Sequence, residues 1–450
     1  MKELSELNHA APSMGIELAV GTPAATGASR KIGPAQAVAA ITIGNALEFF
    51  DFTVYSFLAI TLGKLFFPVT TAYGQLLLST ATFGVGFVTR PIGGIVLGTY
   101  ADRAGRKAAM LITLTLMALG SGMIAFAPTY AQIGIAAPAI IVLARLVQGF
   151  SAGGEVGATT AILLEYATPR TRSFYSSWQF ASQGLGVAIG ALLSAACARF
   201  IDHDDFMHWG WRIPFVVGIL VAPMGLYIRN RLEDTIQPRA ARDQEDAAAS
   251  PLRVVLRDHW RVIVMGLLMM TGSTSSVYMI TFYMPTYAIR ELGIPMSSAL
   301  LAGVLVGMVL FIGMPLAGLL ADRFNRKKIS IAARMGIVLA IYPAFAYLNA
   351  APSTPRLLLV VGVLISLHVL SMTSMAMVPS LLPKEIRATG SAFIYAIGVV
   401  VVGGSSQFIT TWLVHATGSK MSPALYLLAC TAITVAALIK IEDRSANHTI

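Results

Sequence analysis

Long unbroken apolar runs constrain this chain more than any other feature of its sequence. The run from Leu300 to Ala321 contains no charged residue, and roughly 20 apolar residues suffice to cross a bilayer as a helix. A membrane β-barrel would instead show alternating segments of roughly 10 residues. Because 56% of the 450 residues are hydrophobic and only 12% are charged, soluble and disordered classes are excluded. The sequence predicts an all-α integral membrane protein.

Twelve such runs fall into two sets of six. The first set covers 36–62, 76–100, 108–128, 133–165, 173–199 and 210–229, and the second covers 262–287, 298–321, 329–349, 357–381, 390–415 and 421–440. We therefore predict twelve transmembrane helices in two six-helix bundles. The predicted segments are a tail at 1–34, a first bundle at 35–229, a central loop at 230–261, a second bundle at 262–440 and a tail at 441–450.

The positions of Lys and Arg predict the orientation. Of these 32 residues, 23 lie in the tails and alternate loops on one side, 6 lie on the other side, and Arg90, Arg145 and Arg334 lie at membrane depth. The positive-inside rule then places both termini in the cytoplasm of a multi-pass, bacterial-type inner membrane protein. This explains the net charge of +10 without a nucleic acid partner. We expect Arg334, near a span end, to reach the lipid–water interface.

A ten-residue segment occurs twice, at an offset of 220 residues, with six identical positions. The candidate latch residues are Gly98, Asp102, Arg103, Arg106 and Lys107 in one copy and Gly318, Asp322, Arg323, Arg326 and Lys327 in the other. We expect the glycine to allow close helix approach and the aspartate to accept from a helix N-terminus or an arginine of the other half. The alternative is an ordinary charged turn. Two matching halves predict a substrate site at mid-depth between them.

This segment resembles the signature loop of the major facilitator superfamily, with Asn325 in place of the second glycine, a residue that also tolerates a left-handed turn. Further segments resemble the metabolite:proton symporter family, namely 44–52, 89–94, 145–155 and 209–215. The stretch 394–415 is most similar to that of citrate–proton symporters. The resemblance implies a proton-coupled symporter that imports a small organic anion, with citrate or a related tricarboxylate as the leading substrate. Dicarboxylates and zwitterionic osmolytes such as proline or betaine remain alternatives.

Two predicted spans carry polar stripes. At about 100° per residue, Arg145, Gln148 and Glu155 share one face of the fourth span. A charged residue at this depth, such as Arg145, either binds an anionic substrate or forms a structural ion pair between spans. Glu155 is a candidate for the proton path. In the first span the polar residues at helical spacing are Asn45, Glu48, Asp51 and Tyr55. Burial of Glu48 and Asp51 together favours a bound proton on one of them, as proton coupling requires, unless an arginine pairs with it permanently.

The remaining candidates for the substrate site are scattered over four spans. Arg90 precedes a proline and two glycines, and an arginine near a helix bend can hold a carboxylate bidentately. The others are Gln179, Gln183, Tyr278 and His368. A structural role is the alternative for each of them.

Other protein classes have less support in the sequence. We expect no enzymatic activity, since the residues form no recognisable catalytic, metal-ligand or nucleotide-binding arrangement, and we expect no cofactor. A membrane sensor would be expected to carry a soluble signalling domain. For a quaternary ammonium substrate, Phe49, Phe52 and Tyr55 are the candidate cage. The expected partners are the organic anion, protons and the lipid bilayer, with the chain acting as a monomer.

Overall fold

A computed structural model describes residues 34–104, 106–153, 163–164, 166–168, 170–220, 223, 257–383 and 387–441. Within these segments the chain is helical, without strands, and this confirms the all-α prediction. Nine helices in them are long and apolar enough to cross a membrane, and a bent pair makes a tenth span. Two shorter apolar helices, Leu111–Ala125 and Gly210–Leu220, lie in the third and sixth predicted runs. Each of the twelve runs therefore contains an apolar helix.

The spans are numbered 1 to 12 along the chain. Span 1 consists of Pro34–Phe57 and Ala59–Phe66. The part Ile41–Phe57 and the helix Ala59–Phe66 are bent by 62° relative to each other. Spans 2 to 6 are Ala72–Tyr100, Leu111–Ala125, Ala136–Gly153, Arg172–Phe200 and Gly210–Leu220. Spans 7 to 12 are Trp260–Arg290, Met296–Arg323, Arg326–Ala350, Thr354–Ser374, Phe393–Thr417 and Ser422–Lys440. Short helices at Tyr130–Ile133 and His203–His208 connect neighbouring spans.

The spans pack as two groups that meet along two seams. Contacts connect spans 1 to 5 into one group and spans 7 to 12 into the other. The main contacts between the groups join span 5 to span 8 and span 2 to span 11. A glycine pair lies in each seam. A Cβ on Gly184 would lie 2.8 Å from Gly307 O, and a Cβ on Gly84 would lie 2.7 Å from Gly404 O. Helices in lipid associate through such small residues because the backbones then approach closely.

An N-cap role explains why the second copy of the repeated segment has Asn325 where the first copy has a glycine. The Asn325 backbone is extended, with φ at −66°, and its side chain accepts from Lys328 N at 3.0 Å as the N-cap of span 9. The expectation that asparagine fits there because it tolerates a left-handed turn is therefore wrong. Asparagine is among the preferred N-cap residues because its side-chain oxygen satisfies a free backbone N–H.

Candidate functional site

A cavity lies between the two groups of spans. The non-atom space in it, open solvent included, is about 740 Å³. The first group contributes Phe49, Arg90, Phe180, Gln183 and Val187, and the second contributes Met270, Ser273, Thr274, Val277, Tyr278, Thr281, Phe282, Leu310, Met314, His368, Met372, Tyr395 and Val399. The wall is mostly apolar and aromatic, with a few polar groups that can orient a ligand.

Arg90 is the cation of this wall. Its guanidinium carbon lies 4.5 Å from the ring centroid of Phe52 and 4.2 Å from that of Phe87. Its Nε is buried without a hydrogen-bond partner, and no described carboxylate forms an ion pair with it. The aromatic faces stabilise the charge, and Tyr278 is a hydrogen-bonding neighbour of the guanidinium.

Close packing of span 2 on span 4 positions Arg90. Just before it, the Thr89 hydroxyl donates to Leu146 O at 2.8 Å, across to span 4. A Cβ on Gly93 would overlap Phe150 O, and a Cβ on Gly153 would overlap Arg90 O. Glycine is required at both positions because the two backbones touch there. The glycines around the arginine therefore fix the depth and rotation of its helix.

Arg145 lies in a second layer, behind the cavity wall. It is fully buried, and its guanidinium carbon lies 4.6 Å from the ring centroids of both Phe52 and Tyr55 and 5.2 Å from that of Phe83. Its Nη1 donates to Gln148 Oε1 at 2.9 Å, whereas Nε and Nη2 have no partner within the described residues. Phe52 and Tyr55, two members of the predicted ammonium cage, thus surround an internal cation.

A chain of polar contacts connects Arg145 to span 1. Gln148 Nε2 donates to Ser121 Oγ at 3.0 Å, and Ser121 is also a hydrogen-bonding neighbour of Asp51. Asp51 is buried, its Oδ1 has no hydrogen-bond partner among the described residues, and Gly218 of span 6 packs against its carboxyl group. Asp51, Ser121, Gln148 and Arg145 thus form one polar line through the first group.

Glu48 lies one turn before Asp51 on span 1. It is buried, and neither carboxyl oxygen has a hydrogen-bond partner within the described chain. The permanent ion pair that was the alternative for Glu48 and Asp51 is not found there, since the one pair formed within the described segments joins Arg326 to Asp322. Both acids are therefore buried without a cationic partner among the described residues.

The other predicted binding residues divide between the cavity and the helix contacts. Gln183, Tyr278 and His368 line the cavity. Asn45 instead joins span 1 to span 5, since its Nδ2 donates to Ser182 Oγ at 2.5 Å and to Gln179 O at 3.2 Å. The Gln179 side chain is buried and has no hydrogen-bond partner in the part of the chain that is described.

The second copy of the repeated segment bridges the two groups of spans. Asp322 at the end of span 8 accepts the backbone N–H groups of Ser173 and Phe174, both at 2.9 Å, at the start of span 5. Its Oδ1 also lies 3.5 Å from Arg326 Nη2. Gly318 allows this approach, because a Cβ there would lie 2.7 Å from Ser177 Oγ.

The first copy differs from the second. A Cβ on Gly98 would meet nothing within 4 Å among the described residues, so the close helix approach expected at this glycine is not found. The side chains of Asp102, Arg103, Arg106 and Lys107 lie outside the described part of the structure, as does all of Glu155. The predicted tails and nearly all of the central loop also lie outside it.

A polar cluster in the second group was not predicted from the sequence. Arg334 does not reach the interface but is fully buried, with Nη2 donating to Ser273 Oγ, Ser371 O and Ser374 Oγ. Its position near the end of an apolar run suggested snorkelling. The hydroxyl-rich middle of span 7, residues 271–276, from which Ser273 contacts Arg334, was the available signal for burial.

Comparisons with known proteins agree with this architecture. The family model described as Major Facilitator Superfamily matches residues 41–403. The citrate-proton symporter of Klebsiella pneumoniae is 36% identical over 426 residues, which are 94% of each chain. The proline/betaine transporter of Salmonella typhimurium is 32% identical over 429 residues, covering 92% of this chain and 84% of that protein. A crystal structure of the D-xylose-proton symporter superposes with a TM-score of 0.74 at 18% identity, covering 91% of this chain and 98% of that one.

Proposed function

Because the chain belongs to the Major Facilitator Superfamily, we propose that it is a proton-coupled symporter that imports a small organic anion by alternating access. Citrate or a related tricarboxylate is the proposed substrate. Support comes from the citrate-proton symporters of Klebsiella pneumoniae and Salmonella typhi, both 36% identical to this chain over more than nine tenths of its length. We also propose that the chain acts as a monomer, has both termini in the cytoplasm, and is divided into bundles at 35–229 and 262–440.

The position of Arg90 in the cavity wall is the observation that carries the proposal. It places a positive charge in the wall of a cavity between the two bundles, without a carboxylate partner among the described residues. A guanidinium binds a carboxylate through two parallel hydrogen bonds, which a lysine does less well. In a water-poor site this interaction is stronger than at the surface. Gln183 and Tyr278 supply further hydrogen-bonding groups to the same cavity.

Proton coupling is assigned to Glu48 and Asp51, with Glu155 as a third candidate. Phe52 follows Asp51 directly, and its ring contacts both Arg90 and Arg145. A proton that binds or leaves Asp51 changes its contacts with Ser121, and the backbone of span 1 transmits any resulting shift to Phe52. Protonation on span 1 and anion binding at Arg90 are thereby linked through adjoining residues.

The test is uptake of radiolabelled citrate into proteoliposomes, with an inward proton gradient and then with the gradient collapsed. We expect gradient-dependent uptake that unlabelled tricarballylate inhibits and that proline and betaine do not. The variant Arg90→Gln should raise the KM for citrate at least about tenfold, as for a lost charged hydrogen bond of about 1.5–3 kcal/mol. The matched control is Arg356→Gln, whose arginine packs on Tyr347 away from the cavity. No citrate uptake by folded wild-type protein would refute the proposal.

A zwitterionic osmolyte is the second candidate. It is favoured by the proline/betaine relative and by the aromatic side chains of Phe49, Tyr278, Phe282 and Tyr395 in the cavity wall. Aromatic faces attract a quaternary ammonium group, but the nearby Arg90 opposes a net positive ligand. Labelled proline and betaine in the same vesicles distinguish the two candidates. Osmolyte uptake without tricarboxylate uptake would select the second.

A further inference from the structure

Arg334 is the least compensated of the buried cations in the described residues. Its Nη2 donates only to neutral oxygens, those of Ser273, Ser371 and Ser374, and its Nε and Nη1 have no described partner. Arg90 and Arg145 both lie against aromatic rings, whereas no such contact to Arg334 is found in the described segments. A buried charge is costly unless it is paired. Arg334 thus provides a site where an arriving anion gains a strong interaction.

The cluster reaches the cavity through two side chains. Ser273 and His368 both line it. The Ser273 hydroxyl accepts from Arg334 and donates to Met269 O at only 3.3 Å, so it can turn its proton toward a ligand at little cost. His368 is fully buried, and both ring nitrogens lack a hydrogen-bond partner within the described residues. His368 thus brings two unsatisfied ring nitrogens to the cavity wall, and Ser273 brings a hydroxyl that can reorient.

The internal repeat supports a functional interpretation. Gln148 and His368 are separated by the same 220 residues as the two copies of the repeated segment. Gln148 binds Arg145, and His368 is an electrostatic neighbour of Arg334. Each bundle therefore places a polar side chain at the repeat-related position beside a buried guanidinium. Of these two polar side chains, His368 lines the cavity and Gln148 does not.

We propose that Ser273 and His368, with Arg334 behind them, form a second carboxylate subsite in the wall of the second bundle. This inference rests on the proposed function and adds to it a basis for selecting substrates by their number of carboxylates. One carboxylate binds at Arg90 in the first bundle, and another accepts hydrogen bonds from the Ser273 hydroxyl and the His368 ring in the second. Ser273 and His368 contact the ligand, and Arg334 is a positioning residue that acts through Ser273. A tricarboxylate then bridges the two bundles, whereas a monocarboxylate contacts one.

The test compares ligand binding to purified protein in detergent by calorimetric titration, independently of transport. Citrate, the dicarboxylate succinate and the monocarboxylate acetate are titrated into wild-type protein, Arg334→Gln and Arg334→Lys. We expect wild-type protein to bind citrate at least about tenfold more tightly than the monocarboxylate acetate, with succinate also tighter than acetate, and we expect Arg334→Gln to reduce the citrate-to-acetate ratio toward one. Arg334→Lys, which keeps the charge, should retain part of it. A merely structural arginine would weaken all ligands equally or leave the ratio unchanged, and either result overturns the proposal.

Two milder variants keep the test valid if Arg334→Gln does not fold. Ser273→Ala and His368→Gln remove the ligand-contacting groups one at a time, and each should lower the citrate-to-acetate ratio. An unchanged ratio in both would also overturn the subsite. The control Arg356→Gln, away from the cavity, should bind like wild type. Failure of the proposed function is distinct from these results, because wild-type protein itself would then bind no tricarboxylate.

Discussion

The carboxylate of Asp322, at the end of span 8, accepts the backbone N–H of Ser173, at the start of span 5, at 2.9 Å. The same carboxylate accepts the N–H of Phe174, so a side chain of the second bundle caps a helix of the first. A negative charge at a helix N-terminus satisfies free N–H groups and interacts favourably with the helix dipole. The contact holds the bundles together at the end that the sequence predicts to be cytoplasmic.

Asp322→Asn should loosen this end of the molecule. The amide keeps one acceptor but loses the charge, which costs about 0.5–2 kcal/mol for an N-cap. We expect spin labels at Arg172 and Phe324, on the two sides of the contact, to show longer distances in the variant. Asp202→Asn, in the connection after span 5, is the control and should leave the distances unchanged. Identical distance distributions in Asp322→Asn and wild type would show that the contact is not a latch.

Asp51→Asn should separate substrate movement from proton movement. The asparagine has nearly the same shape but cannot take up or release a proton, so we expect gradient-driven uptake to fall at least about tenfold. Exchange of labelled for unlabelled substrate, which needs no net proton transfer, should persist. Proteoliposome assays of both processes provide the measurement. Unimpaired proton flux with substrate would move the coupling role to Glu48 or Glu155.

Gly93→Ala should displace Arg90 from the cavity wall. The added Cβ would overlap the carbonyl oxygen of Phe150, and overpacking of this kind costs about 1–3 kcal/mol. We expect a lower Tm in detergent and a higher KM for the transported anion. Gly122→Ala is the matched control, because its Cβ would lie 3.6 Å from Ile219 Cδ1, an ordinary contact. Equal effects of the two substitutions would argue against the glycine packing as the means of positioning Arg90.

His415→Ala should weaken closure at the opposite end. The rings of His415 on span 11 and Tyr73 on span 2 are stacked, with centroids 3.7 Å apart and planes at 13°. Such a pair contributes about 0.5–1.5 kcal/mol, which corresponds to up to about a tenfold change in the open population. Distances between spin labels at Lys64 and Lys420 should lengthen in His415→Ala and return in His415→Phe, which restores stacking. A lengthening that phenylalanine does not reverse would assign the effect to something other than the stacked rings.

Helix periodicity predicted which residues share a face but not which way the face points. The stripe of Arg145 and Gln148 was correctly placed on one side of span 4, since the two side chains are hydrogen-bonded. Its rotation toward the interior of the first bundle, with Phe52, Tyr55 and Phe83 around the charge, depends on how spans 1 and 2 pack against it. Arg90 lines the cavity because glycines on spans 2 and 4 set that packing.

The sequence by itself determined the membrane class, the twelve apolar segments, the twofold repeat and the short set of charged residues at membrane depth. These follow from composition and spacing, because lipid admits only helices with satisfied backbones and few charges. Only the tertiary structure decided that Asp322 caps the helix beginning at Arg172, that Arg145 lies behind the wall, and that Arg334 is buried beside Ser273. Those contacts join spans distant in sequence, and their formation depends on helix rotations that packing fixes and periodicity leaves free.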